Sequence, residues 1–505
     1  VEPRAGETLR VALERMLRDA ILDGALRPGV RLPGSRRFAE QLGVSRGVVT
    51  EAYEQLSSQG LLATQRRSAP VVKTQPVDAI PTPVIPPALT PRYDLSPWAT
   101  DLDLFPLRRW LTTGQRVARR APTAILDYRE DRGERALREA LADHLGRTRG
   151  VIADPEQIVV THGTAQALDL VGRVLRGRGA HQIALEDPSP DLDRARVAAC
   201  GLTAVARRVD QDGIIVTGMA ADAVLVAPSH QCPTGVVLRA QRRRELLAWA
   251  RDARALVVER DCDSEFSFDG KPIRALQGLA PECVAHVGSV SKALAPAIRL
   301  GWLVAPADLV DEVTYQKRLV DGFSSPFDQL TLAEFLRSGD YDRHVRALRM
   351  HYHARRDRLV EALARRLPEL EVAGANTGVH VVLSLPARVS DVEIAERALR
   401  ARIRVSALSQ FCIDRTDLNG LVVGYGRLHE DAIDLVVRAL AAKIQAPPER
   451  GELSPRVAGA RVPMAIAAGQ ATRARSPDLP PLKVGSAMSA QARDRSGETL
   501  NRTRR

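Results

Sequence analysis

The chain has 505 residues, 45% of them hydrophobic and 27% charged, with a formal net charge of +12. That length and apolar content allow two or three domains around a large buried core and exclude a chain disordered throughout. Five widely spaced cysteines with no Cys-x-x-Cys pair argue against a disulfide framework or a zinc site. With no signal-peptide pattern and no apolar run of membrane-spanning length, the expected location is the cytoplasm.

The positive charge gathers at the ends: residues 1–75 carry 12 Lys/Arg against 8 Asp/Glu, and residues 446–505 carry 11 against 5. A basic head fits a nucleic-acid partner. Residues 8–24 place apolar side chains at Leu9, Leu13, Met16 and Ile21 or Leu22, predicting an amphipathic helix with a stop at Gly24. After the turn Arg27-Pro28-Gly29, a short helix capped by Ser35 is expected to Leu42. Gly43-Val44 then turns the chain into a second helix, capped by Ser45 and running to about Gln59. Two helices joined by a short Gly-containing turn make a helix-turn-helix. Reading DNA asks for short polar and cationic groups at the start of the second helix, and Ser45, Arg46 and Thr50 supply them. Ser35, Arg36 and Arg37 are placed to hold the flanking backbone, and Arg66 and Arg67 follow in a basic wing.

This segment resembles the GntR-type winged helix in Arg31-Leu32-Pro33-Gly34-Ser35-Arg36, Phe38-Ala39, Gly43-Val44-Ser45-Arg46, Ala52-Tyr53, Leu56 and Gly60. Gly34 replaces a serine of that pattern, and Gln65–Pro70 replaces its glycine-rich wing turn. The resemblance implies a DNA-binding head over residues 6–74 with a double-stranded operator as partner. Pro76, Pro81, Pro83, Pro86, Pro87 and Pro91 then predict an extended spacer over 75–91.

Strand-like runs at 158–160, 183–185, 224–226, 256–258 and 284–287 alternate with helical patterns at 164–176, 239–253 and 328–337. This predicts an α/β sheet covered on both faces, within a body spanning 92–445. Residues 446–505 contain no Phe, Trp or Tyr and are expected to be a disordered basic tail.

In the body, Ser289-Val290-Ser291-Lys292 is followed seven residues later by Arg299. A lysine can form a Schiff base with pyridoxal 5'-phosphate while hydroxyls and a guanidinium grip the phosphate. Gly163-Thr164-Ala165 lies where a strand should meet a helix, so its backbone N–H groups and the Thr164 hydroxyl are candidates for the same phosphate. In order, residues 160–168, Pro228–Gly235, Asp263-Ser264-Glu265-Phe266 and the Lys292 run resemble the fold-type I aminotransferase-like domain of MocR/GabR-type transcriptional regulators. The resemblance implies a mostly parallel sheet, a homodimer, pyridoxal phosphate on Lys292 and an amino-acid-like or amine effector.

Several positions depart from that pattern. Where the family has Glu-Asp-Asp-Tyr, this chain has Glu259-Arg260-Asp261-Cys262, so Arg260 stands at the pyridine-facing carboxylate and Cys262 at the phenol. Asp261 is the remaining candidate for the ring nitrogen if the strand shifts. Pro190 and Cys232 replace two further aromatics, and no Arg follows Leu421–Gly424 directly, although Arg427 is near. An Arg at the ring nitrogen opposes its protonation, so transamination should be weak or absent. Two alternatives stand beside the sensor: a cofactor-free regulator that keeps the fold as a scaffold, and a working aminotransferase with a DNA-binding appendage.

Overall fold

Leu9–Leu22, Ser35–Leu42 and Arg46–Ser58 are the three helices of the head, followed by an antiparallel ribbon pairing Leu62 with Val72 and Ala63 with Val71. The computed structural model describes residues 1, 3–4, 6–63, 69–73, 90–261, 263–268 and 273–446. Arg66, Arg67, Cys262, nearly all of the expected spacer and the expected tail beyond Ala446 lie outside the described residues. The chain divides into two compact units, Val1–Thr90 and Pro91–Arg505.

The first helix is amphipathic, but its core face is Ala12, Leu13, Leu17 and Ile21, while Leu9, Met16 and Leu22 are exposed. Leu13 and Ile21 of the expected stripe are in the core, whereas Leu17, which shares a cluster with Val49, Ala52 and Leu56, takes the place expected of Met16. Gly34, not Ser35, is the N-cap of the second helix, and Ser35 is its first helical residue. Ser45 does cap the third helix, accepting from the Val48 N–H at 3.4 Å. Between them Gly43 sits at φ +65°, a left-handed turn that glycine adopts without strain. The Tyr53 hydroxyl donates to the Pro33 carbonyl at 2.9 Å and ties the third helix to the entry of the second.

The body is built on an eight-stranded sheet, in the spatial order Ile158–Thr161, Gly301–Val304, Val284–Ser289, Leu256–Asp261, Ala223–Val226, Gln182–Asp187, Thr203–Asp210 and Gly213–Ile214. Five of these strands run parallel, from Val284–Ser289 to Thr203–Asp210, and Gly301–Val304 is antiparallel to both its neighbours. One face, carrying Val159, Leu185, Leu225, Val258 and Val287, packs on helices Thr164–Gly177 and Val310–Val320. The other carries Val160, Val224, Val257 and Trp302, and is covered by Arg135–Arg149, Ala240–Ala253 and Pro326–Arg337. The near-continuous apolar runs expected of a doubly covered sheet are therefore explained.

A smaller antiparallel sheet, Val372–Ala373, His380–Ser384, Gly420–Gly424 and Ser406–Ala407, shares a second core with helices Asp340–Arg366, Asp391–Arg400 and Ile433–Gln445. No helix among the described residues is long and apolar enough to cross a membrane.

Candidate functional site

Sheet register gathers the candidate phosphate grip. Ser289 pairs with Gly301, and Gly301 pairs with Thr161, so three strands end side by side. Thr161 leads through His162 into Gly163 at φ +82°, and the helix starts at Thr164. A Cβ on Gly301 would stand 2.7 Å from the Gly163 Cα and 2.8 Å from the Gly288 carbonyl oxygen, so glycine is required for the close approach. Arg299, itself left-handed at φ +54°, donates from Nη2 to the His162 carbonyl at 2.5 Å. Thus Gly163, Thr164, Ala165, Ser289 and Arg299 lie around one helix N-terminus, where unpaired N–H groups and the helix dipole favour an anion, and the Ser291 N–H donates to the Ser289 hydroxyl at 3.5 Å.

Lys292 lies beyond the end of the Val284–Ser289 strand with its side chain 17% exposed. Its Nζ donates to the Pro97 carbonyl at 3.0 Å and stands 3.2 Å from Oδ1 of Asp263. Asp263 reaches it from a left-handed backbone, φ +69°. Burial works against ionisation of this carboxyl, but the Lys292 ammonium and two nearby imidazoles outweigh it and hold Asp263 below the ordinary carboxylate range. Those imidazoles are His230 and His380. The His230 Nδ1 is 2.7 Å from the Thr377 hydroxyl, its Nε2 is 3.5 Å from the His380 Nδ1, and the His380 Nε2 donates to the Pro233 carbonyl at 2.9 Å. Burial lowers His230 to about 4 and His380 to about 3, so both are neutral at neutral pH.

Strand alternation separates the next two candidates. Arg260 points to the face of Val258, toward the helices 164–177 and 191–199, where its Nη1 is paired with Asp193. Asp261 points to the opposite face, where its Oδ2 accepts from Arg149 Nε at 2.7 Å. Arg149 also donates to the Ser229 hydroxyl at 2.7 Å. The strand is in regular register, with Asp261 opposite Gly288, and makes no shift that would bring Asp261 to the face of Arg260. Near Arg260, burial raises Glu186 to about 7 and pushes the Cys232 thiol up to about 12.

Asp193, Arg149 and His380 carry no motif that marks them in the sequence. They were missed because their roles arise from contacts between distant segments. Pro97 contributes only a carbonyl, which any residue could supply. In the head, Arg36, Arg37, Ser45 and Arg46 are exposed, Ser35 and Thr50 partly so, and the Thr50 hydroxyl donates to the Arg46 carbonyl at 3.0 Å.

Residues 99–421 match the family described as aminotransferase class I and II, and residues 9–72 match the bacterial regulatory proteins of the gntR family. Over 448 residues the chain is 31% identical to the HTH-type pyridoxine biosynthesis transcriptional regulator PdxR of Corynebacterium glutamicum, covering 87% of this chain and 97% of that protein. The chain belongs to the MocR-type HTH transcriptional regulators. It is also 30% identical to the probable rhizopine catabolism regulatory protein MocR of Rhizobium meliloti, covering 82% of this chain and 89% of the relative. HTH-type transcriptional regulator TauR of Rhodobacter capsulatus is 31% identical over 79% of this chain and 88% of its own length. Among solved structures, an archaeal alanine:glyoxylate aminotransferase superposes with a TM-score of 0.64 at 25% identity, covering 70% of this chain and 90% of that one. A MocR-type regulator thus joins a DNA-binding head to an aminotransferase-like body, and the fold of the body is that of pyridoxal-phosphate enzymes.

Proposed function

We propose that this MocR-type regulator binds pyridoxal 5'-phosphate on Lys292 and uses it to sense an amino-acid-like or amine effector. The observation that carries the reading is the convergence of Gly163, Ser289 and Arg299 on one helix N-terminus, with the Lys292 amine held nearby by Pro97 and Asp263. When bound, the cofactor supplies an aldehyde that condenses reversibly with amines. The phosphate end of the group fits the residues present. Gly163, Thr164, Ala165, Ser289, Ser291 and Arg299 hold it, and Asp263 and Pro97 orient the amine.

The ring end fits differently. Arg260, paired with Asp193, stands on the face where a carboxylate would protonate the ring nitrogen, and Asp261 is engaged by Arg149 on the other face. A guanidinium there donates no proton to the ring, so the body recognises amines and turns them over weakly. Ser45, Arg46, Thr50, Ser35, Arg36 and Arg37 contact the operator, with Arg66 and Arg67 of the wing. Two heads of a cytoplasmic homodimer read two half-sites, and the effector changes how they are presented. Domain limits at 6–74, 75–91, 92–445 and 446–505 belong to the same reading.

The test is the visible absorption of the full-length protein with pyridoxal phosphate, before and after borohydride, followed by peptide mapping. Colour, with reductive label on Lys292, is the expected result. A colourless and unlabelled protein overturns the cofactor and favours the scaffold, a reading to which the Arg260–Asp193 pair also lends itself. Turnover of an amino acid with 2-oxoglutarate at enzyme-like rates would instead make it an aminotransferase.

A further inference from the structure

A cavity of about 330 Å³ lies between the end of helix Arg135–Arg149, the segment after Asp261 and the first turns of helix Asp340–Arg366. Lys292, Ser289 and Asp263 border it, but Gly163, Thr164, Arg299, Arg260 and Cys232 do not line it. It opens on the Trp302 face of the sheet, opposite the helix that carries the phosphate grip. Its volume suits a small metabolite.

The walls carry polar atoms that nothing in the protein satisfies. The Trp302 indole N–H and the Asp261 Oδ1 are buried and have no hydrogen-bond partner among the described residues. Each of these side chains is more than nine-tenths buried. Leaving a buried polar group without a partner is costly, so two on one cavity call for a polar occupant. The indole N–H can only donate, whereas the free oxygen of the Asp261 carboxylate can only accept. Burial lowers the affinity of His144 for a proton, and its Nδ1 stands 3.4 Å from the Asp342 carboxylate. Asp342 also lines the cavity, and its carboxylate is a second acceptor there. At the surface, the exposed Arg346 and Arg349 line the same space.

We propose that this cavity is a second small-molecule site, which binds an amino-acid-sized zwitterion non-covalently, its ammonium at Asp261 and Asp342 and its carboxylate at Trp302, Arg346 and Arg349. It deepens the sensor reading, because it gives the body a site for an amino-acid-like molecule that needs neither the cofactor nor a bond to Lys292. The ammonium supplies the donor that the free Asp261 oxygen lacks, and the carboxylate supplies the acceptor that Trp302 lacks.

Isothermal titration calorimetry of the full-length chain, stripped of aldehyde with hydroxylamine, tests it. The probes are the twenty common α-amino acids and linear ω-amino acids of two to six carbons, with alkylamines and alkanoates of matching length as controls. Saturable binding of a zwitterion at one site per chain is expected, with neither control binding. Trp302→Phe, which removes the N–H donor and keeps a ring, should weaken it roughly fivefold. Arg346→Ala, at an exposed position that leaves folding intact, should weaken it roughly threefold. Binding seen only when pyridoxal phosphate is restored would overturn the second site while leaving the Lys292 reading standing. No binding, or binding indifferent to both variants, would mean that the cavity holds water alone. A colourless protein that still binds the zwitterion would separate the two claims the other way.

Discussion

Lys292 and Asp263 face each other at 3.2 Å, the lysine from beyond the end of the Val284–Ser289 strand and the aspartate from a left-handed turn after the neighbouring strand. The pair joins the two halves of the site. Lys292 follows the strand that carries Ser289, and Asp263 abuts His230 and His380, the latter on the smaller sheet.

Asp263→Asn keeps a residue that tolerates the left-handed backbone and removes only the charge. With the carboxylate well buried and its partner largely so, the loss should be about 3 kcal/mol in urea unfolding at pH 7. The folded carboxyl titrates below its unfolded value near 4, so its stabilisation is present above that pH and disappears as the pH falls through the folded value. The variant and the parent should therefore converge in stability on acidification, and a gap that stays constant would show that the charge is not the cause.

His230 and His380 give the protein a second acid sensitivity. Their folded values, about 4 and about 3, lie below the unfolded value near 6.5, so the unfolded chain binds more protons between those limits. Stability should be full above pH 6.5 and fall as the pH drops from there toward 4. Each histidine contributes a slope of about 1.4 kcal/mol per pH unit. His380→Gln should flatten thermal unfolding against pH by one such slope.

Gly301→Ala adds a methyl group where the Gly163 Cα and Gly288 carbonyl stand less than 3 Å away. Both obstacles are backbone, so the strands must part, at about 1–3 kcal/mol. Pyridoxal phosphate titrated into the variant should bind at least tenfold more weakly, because Ser289 and Gly163 move apart across the altered register.

In the head, Arg46→Ala and Arg36→Ala should each weaken operator binding and lower the steepness of its salt dependence by about one unit for each phosphate that is no longer neutralised. Fluorescence anisotropy at several salt concentrations measures both. Leu56→Ala, at a fully buried position in the head core, should instead unfold the head by about 2–5 kcal/mol. A circular dichroism melt distinguishes it from the arginine variants, whose exposed side chains leave the fold intact.

Much of this was legible in the chain because local chemistry is periodic. The cap at Ser45, the turn at Gly43 and the apolar runs of the sheet each follow from side-chain preference over a few residues, and each stands in the structure. The Ser35 cap and the Met16 core position did not, because a cap depends on where the first turn closes and a helix face depends on what it packs against.

The sequence by itself determined the two-part organisation and the family, because motif order and hydrophobic period are properties of the chain alone. Only the tertiary structure decided which face of the strand carries Arg260 and which carries Asp261. It also decided that Arg149 comes from a distant helix to engage Asp261, and that two histidines close on Asp263. Charge compensation across a sheet is set by packing between segments remote in sequence, and no local pattern records it.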